Sequence, residues 1–217
     1  MGKTQDIRQA VEAELGFDPL IDAANITVRN MNGEVALNGT VPSYPQYLEA
    51  SAAAQRVAGV TSVYNHLEVV LPEGDFRDDA MLTTAANNAL ALNITVPDGV
   101  EATASDGNLT LTGTAAYNSE RAAAELAVAG LTGVRNVRDD IDIAYNGDPV
   151  DVDLHVQEAL DRYALVPDDS DVQVDVKGGV VTLTGHVSNW AEHDAAVSAA
   201  WMATGVIDVR DDLSITD

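Results

Sequence analysis

Four histidines, His66, His155, His186 and His193, are the side chains best suited to proton transfer in a chain that has no cysteine. A nucleophilic site would set a serine or threonine beside one of them, with a carboxylate orienting the ring. Nothing in the spacing requires that arrangement. His186 and His193 flank a loop with Glu192 and Asp194 nearby, which is the donor set of a surface metal site. Solvated residues at a strand end and a helix start are the preferred explanation. The run Asp168-Asp169-Ser170-Asp171 looks like a cation-ligand cluster, but it lacks the glycine and the terminal glutamate of a calcium loop. It is expected to be a solvated helix-to-strand loop. No catalytic residue, metal ligand, cofactor or small-molecule substrate is therefore assigned.

Asn65, Asp139 and Asp211 are polar residues on the buried parity of a strand, where a side chain must find hydrogen-bond partners. Bonding to nearby backbone at a turn or bulge is preferred over three equivalent cation sites. Three aromatic residues, Tyr44, Trp190 and Trp201, are the candidate interaction surface: an aromatic at a helix start can anchor a partner or a bilayer. Packing between repeats is the commoner explanation for such a residue.

These residues sit in a tandem repeat. The stretch Gly33-Glu34-Val35-Ala36-Leu37-Asn38-Gly39-Thr40-Val41 returns as Gly107 to Ala115 and as Gly179 to Val187, at offsets of 74 and 72 residues. Gly59-Val60-Thr61-Ser62-Val63 returns from Gly133 and from Gly205 at the same offsets. Two landmarks with one spacing define a repeating unit. The three units are expected over residues 1–72, 75–145 and 148–217, separated by the linkers Leu71 to Gly74 and Tyr145 to Asp148.

Each unit begins with apolar residues at helical spacing: Ile7, Val11 and Leu15, then Leu82, Ala86 and Leu90, then Val152, Val156 and Leu160. Asp148-Pro149 suits the start of the third of these helices. An alternating strand follows, through Ile26 and Val28, Val100 and Ala102, or Val172 and Val174. Asn32-Gly33, Asp106-Gly107 and Gly178-Gly179 predict tight hairpin turns. The second strand buries Val35 and Leu37, Leu109 and Leu111, or Val181 and Leu183. Gly39, Gly113 and Gly185 share that buried parity and imply a close backbone neighbour, expected to be the second helix. That helix is alanine-rich and starts from Ser43 with Gln46, or Asn189 with Glu192, both resembling capping boxes. Gly59, Gly133 and Gly205 are expected to end it as left-handed C-caps. A last strand through Val63, Leu67 and Val69, or its equivalents, lies parallel to the second. The fold class is α+β: three tandem αββαβ two-layer sandwiches, each a three-stranded mixed sheet covered on one face by two helices.

The formal net charge of −24 divides as −5 over residues 1–73, −7 over 74–147 and −12 over 148–217. Nucleic acid and anionic headgroups need clustered Lys and Arg, and only two lysines, Lys3 and Lys177, are present. Nucleic acid is therefore excluded as a partner. No apolar run approaches the roughly 18 to 20 residues of a membrane-spanning helix, and no signal-peptide pattern opens the chain. The expectation is a soluble, cytoplasmic protein, or a periplasmic one if a signal peptide has been removed.

The hairpin glycines, the Val-x-Leu-x-Gly-x-Val strand, the alanine helix and the Gly-Val-x-x-Val close followed by Asn65, Asp139 or Asp211 resemble the BON domain, named for bacterial OsmY and nodulation proteins. The resemblance covers almost the whole chain, three times over. It is strongest to the three-BON proteins of the osmotically inducible or transport-associated kind, which share an ending like Trp190-Ala191-Glu192-His193-Asp194 and Ala199-Ala200-Trp201. What it implies is an αββαβ fold, no known catalysis, and a part in osmotic or envelope stress through contact with phospholipid or membrane proteins. A BON domain fused to a LysM module is associated with potassium sensing, and no LysM segment occurs here. The expected function is a non-enzymatic stress-associated binding protein whose partner is a membrane surface or a protein. The alternative is an acidic protein responsive to potassium, calcium or general salt.

Overall fold

The computed structural model describes residues 3–144, 152–162 and 171–216. The first repeat contains α1 (Lys3–Phe17), β1 (Ile26–Met31), β2 (Glu34–Val41), α2 (Tyr44–Gln55) and β3 (Ser62–Val69). The second contains α3 (Asp79–Leu92), β4 (Glu101–Ser105), β5 (Asn108–Ala115), α4 (Asn118–Ala129) and β6 (Asn136–Ile143). The third contains α5 (Val152–Arg162), β7 (Gln173–Lys177), β8 (Val180–Val187), α6 (Trp190–Met202) and β9 (Asp208–Ile215). The strands form three sheets in the orders β1-β2-β3, β4-β5-β6 and β7-β8-β9. The expected α+β architecture is thus present in each repeat. The Asp148-Pro149 helix start, the linker from Tyr145 to Asp148 and Asp168 to Ser170 lie outside the described residues.

Each hairpin closes in two residues, with Met31 opposite Glu34, Ser105 opposite Asn108 and Lys177 opposite Val180. Both central residues take positive φ: 57° and 98° at Asn32-Gly33, 52° and 79° at Asp106-Gly107, 61° and 83° at Gly178-Gly179. That backbone twist matches the twist of the flanking strands. The turn also begins the third strand's pairing, because the carbonyls of Gly33, Gly107 and Gly179 accept the N–H of Thr61, Arg135 and Ile207 at 2.9, 2.8 and 2.9 Å. From there β3 runs parallel to β2, and β9 parallel to β8.

Val35, Leu37, Leu109, Leu111, Val181 and Leu183 are fully buried, as alternation along the strand requires. The first helices lay Val11 and Leu15, Leu82 to Leu90, and Val156 and Leu160 against them. Ala50, Ala53 and Ala54 of α2, and Ala195, Ala196, Ala199 and Ala200 of α6, line the contact with the second helices. Small side chains bring those helices close to their sheets.

Three local expectations are corrected. A Cβ added at Gly39, Gly113 or Gly185 would stand 1.9, 2.3 or 2.4 Å from the carbonyl oxygen of Asn25, Gly99 or Asp171. The close backbone is therefore the segment entering the first strand, not the second helix. It crosses the end of the second strand where these glycines hold φ of 127°, 135° and 118°. Second, α2, α4 and α6 end at Gln55, Ala129 and Met202, so Gly59, Gly133 and Gly205 are not their caps. Each is the third residue of a following four-residue turn, closed by Val60 N–H on Val57 O (3.2 Å), Val134 on Leu131 (3.2 Å) and Val206 on Ala203 (3.4 Å). Third, Ser43 makes no side-chain capping bond. Gln46 instead accepts the N–H of Asp22 at 2.7 Å, spending its carbonyl on the loop after α1. The box does form in α6, where Asn189 accepts from Glu192 N–H at 3.0 Å and Glu192 reaches back to the N–H of Ser188 at 2.9 Å.

The chain divides into two compact units, Met1–Ala115 with Ser119–Asp142, and Ala116–Asn118 with Ile143–Asp217. The first unit thus holds most of the first two repeats.

Candidate interaction surface

The polar residue of the last strand ties that strand to the second helix in every repeat. Asn65 Oδ1 accepts the N–H of Leu67 at 3.1 Å, Asp139 Oδ1 that of Ile141 at 3.0 Å, and Asp211 Oδ1 that of Leu213 at 3.2 Å. This is the local backbone bonding expected for them. The remaining atom of each side chain reaches the helix. Asn65 Nδ2 donates to Tyr47 O at 2.8 Å and to Ser51 Oγ at 2.9 Å. Asp139 Oδ2 lies 3.3 Å from Arg121 Nε, and Asp211 Oδ2 lies 2.8 Å from His193 Nε2. Tyr47, Arg121 and His193 are equivalent by the offsets of 74 and 72, so one tether has three chemistries.

That tether also explains the histidines. His193 has Asp194 on its other nitrogen at 3.1 Å, while His186 Nδ1 meets Asp171 Oδ2 at 2.8 Å. The His186 side chain and main-chain N–H together hold the Asp171 carboxyl below its ordinary value. The two imidazoles therefore serve different carboxylates rather than one site. Among the described residues no three His, Asp or Glu side chains converge to hold a metal ion. His155 Nδ1 and Trp190 Nε1 are buried without a hydrogen-bond partner in this structure.

The three candidate aromatics are placed differently. Tyr44 is only 4% exposed and belongs to the core of the second repeat, beside Val128, Val137 and Ile141. It is not offered to an outside partner; it packs between repeats. Its ring stacks on Tyr47 with centroids 5.8 Å apart, and its phenol receives the backbone N–H of Val137 on the edge strand β6. Burial pushes the phenol's pKa up, and the nearby Glu125 carboxylate adds to this. Burial likewise pushes the Glu125 carboxyl up, reinforced by Asp139 and opposed by Arg121. Trp190, at the equivalent helix start, is half-buried and packs edge-on to His193 with centroids 4.8 Å apart. Trp201 is half-buried against the third core.

Two features escaped the sequence patterns. Along α3, Asp79, Thr83 and Asn87 stand four residues apart and clasp the edge strand β4 and its turn. Asn87 accepts from Ala102 N–H at 3.0 Å and donates to Ala102 O at 2.8 Å. Thr83 accepts from Ala104 N–H at 3.0 Å, and the Asp79 carboxylate takes the N–H groups of Asp106 and Gly107 at 3.0 and 3.2 Å. The i, i+4, i+8 spacing was the available signal. The second feature is apolar exposure where α1 and α3 end: Phe17 is 87% exposed, Leu20 66%, Leu92 88% and Ile94 101%. Ile94 borders a shallow cleft of about 420 Å³ lined also by Asn87, Asn93, Pro97 and Asp98.

A family model for the BON domain matches the chain three times, over residues 3–70, 78–145 and 151–217. The chain belongs to the BON family. Its tether of Asn65, Asp139 or Asp211 thus falls inside each BON domain, and Tyr44 joins the first BON domain to the second. The BON family is generally non-enzymatic. Among curated proteins none matches the chain. Two solved structures of CdsD, a structural protein of the type III secretion system of Chlamydia trachomatis, are similar at 17% identity. One match covers 96% of this chain and 91% of that one, the other 98% of each, both with a TM-score of 0.26. A likeness at that score carries no functional inference. No helix among the described residues is long and apolar enough to cross a membrane.

Proposed function

We propose that this BON protein is a non-enzymatic binding protein of osmotic or envelope stress, acting through its domain surfaces on membrane phospholipid or a protein partner. BON domains are associated with osmotic stress and with phospholipid-binding proteins. The observation that carries the lipid arm is the exposed pair Leu92 and Ile94, with Phe17 and Leu20 at the corresponding end of α1. Apolar side chains at a helix end can enter the headgroup boundary without a spanning segment. With a net charge of −24, neutral or zwitterionic surfaces suit them better than anionic ones.

Vesicle flotation tests this. The protein is expected to float with phosphatidylcholine vesicles, less with vesicles containing anionic lipid, and not at all as the Leu92→Ser, Ile94→Ser variant. Wild-type protein that stays with the unbound fraction on both vesicle types removes the lipid arm and leaves a protein partner.

The charge itself favours a second reading, an acidic protein whose stability follows salt. Carboxylates crowded on three small domains repel one another, and screening shortens that repulsion from about 30 Å at 0.01 M salt to about 3 Å at 1 M. A melting temperature that climbs steadily with potassium chloride supports this reading. A flat response rules it out.

A further inference from the structure

The start of the second helix carries an aromatic pair in two of the three domains. Tyr44 and Tyr47 stack in the first, and Trp190 packs on His193 in the third, at the same two positions. The second domain has Asn118 and Arg121 there. In the first domain the pair is docked: Tyr44 lies in the next domain's core, facing Glu125 on α4 and Val137 on β6. Trp190 keeps its larger ring only half-buried. The receiving positions recur in the first domain as Ser51 on α2 and Val63 on β3. There Val63 remains half-buried, whereas Val137 under Tyr44 is 8% exposed. A plug and a socket of the same interface are thus left over at opposite ends of the repeat array. Repeat proteins propagate one interface from unit to unit, and a head-to-tail contact between molecules is its direct continuation.

We propose that Trp190 of one molecule docks on the first domain of a second copy of this chain, between α2 and β3 around Ser51 and Val63. The contact is heterologous, so each copy retains one free plug and one free socket and further copies add in a line or a ring. The occupant is a BON domain because the one filled example of this socket, on Val137, holds a BON aromatic. Ser51 suits a larger plug than Glu125 does, since it carries no charge against the indole and a smaller side chain. The region 1–73 bears −5 and the region 148–217 bears −12, so the two ends repel across dilute salt. Screening falls from about 10 Å at 0.1 M to about 3 Å at 1 M, which makes the association salt-dependent. The proposal extends the binding-protein reading by naming a partner and is independent of the lipid arm.

Sedimentation velocity of the full chain at rising concentration, in 0.1 M and 1 M potassium chloride, is the test. Wild type is expected to associate reversibly and more strongly in 1 M salt. Trp190→Asn, which installs the residue of the second domain, is expected to weaken association at least tenfold. Ser51→Lys blocks the socket and should do the same, and Leu48→Lys, beside it and 40% exposed, replaces it if circular dichroism shows that variant unfolded. Mixing the plug variant with the socket variant leaves one intact plug and one intact socket. The mixture should form 1:1 dimers and nothing larger. Wild type that stays monomeric in both salts overturns the proposal, as does a mixture that stays monomeric while wild type associates. The Leu92→Ser, Ile94→Ser variant should associate as wild type does, which separates this result from lipid binding.

Discussion

His193 stands 2.8 Å from Asp211, at the two positions that Arg121 and Asp139 hold in the second domain. The pair spans from the helix to the last strand, and the His193 side chain is 13% exposed against 34% for Asp211. His193→Ala is expected to destabilise the third domain by about 1 kcal/mol, the range of a charge-assisted bond partly open to water. His193→Arg, which copies the second domain, should recover most of that loss. Both tryptophans lie in the third domain, so urea unfolding followed by tryptophan fluorescence reads this domain alone. Equal loss in the two variants would show that the ring packs against Trp190 without tethering the strand.

Gly39 and Gly16 offer a paired contrast in the first domain. A methyl group at Gly39 would meet the Asn25 carbonyl at 1.9 Å on a backbone with φ of 127°. Nothing lies within 4 Å of one at Gly16, inside α1. Gly39→Ala is expected to cost about 3 kcal/mol or more, from overpacking added to left-handed strain. Gly16→Ala should gain about 0.5 to 1 kcal/mol from helix propensity. Scanning calorimetry of the full chain measures both, and a tolerated Gly39→Ala would mean the segment entering β1 shifts freely.

Tyr44 is expected to control protection in a domain other than its own. Tyr44→Phe keeps the ring in the second core but withdraws the acceptor from Val137 N–H. Tyr44→Asn withdraws the ring as well and should cost about 3 kcal/mol. Hydrogen exchange at Val137 should accelerate modestly in the first variant. In the second it should accelerate across α4 and β6. Unchanged exchange there in Tyr44→Asn would mean that the two domains do not share a core in solution.

Glu125 predicts a pH dependence of defined sign. Burial, then Asp139, raises its folded-state pKa. The protonated carboxyl is therefore favoured on folding, and the stability it contributes is present in acid. That contribution is lost as pH rises from the ordinary carboxylate value through the raised one. Glu125→Gln should be near neutral in acid and stabilising relative to wild type above that window, the difference growing with pH and then levelling. Melting temperatures of the two proteins between pH 4 and 7 decide it. A difference that is constant with pH would show that Glu125 reaches water in the folded protein.

Much of this molecule is written locally. Two landmarks at offsets of 74 and 72 counted the domains, and alternation placed Val35 and Leu37 inside. Asn32-Gly33 set a turn whose positive φ angles only such residues adopt readily. These features are legible because they depend on neighbours within a few positions, through strand parity and turn sterics. Gly39 shows where that stops. Its spacing demanded a close backbone, but whether helix or incoming strand supplied it depends on how the loop after α1 crosses the sheet. Tyr44 shows it more sharply. An aromatic at a helix start has the same local pattern whether it meets solvent, a bilayer or another core, and its partner Val137 lies 93 residues away. Only the assembled domains decide which surface excludes water from that ring, because burial is a property of packed elements and not of spacing along the chain. The same holds for the tether, where Asn65, Asp139 and Asp211 announced a need for partners. Helix packing alone chose Tyr47 with Ser51, Arg121 and His193.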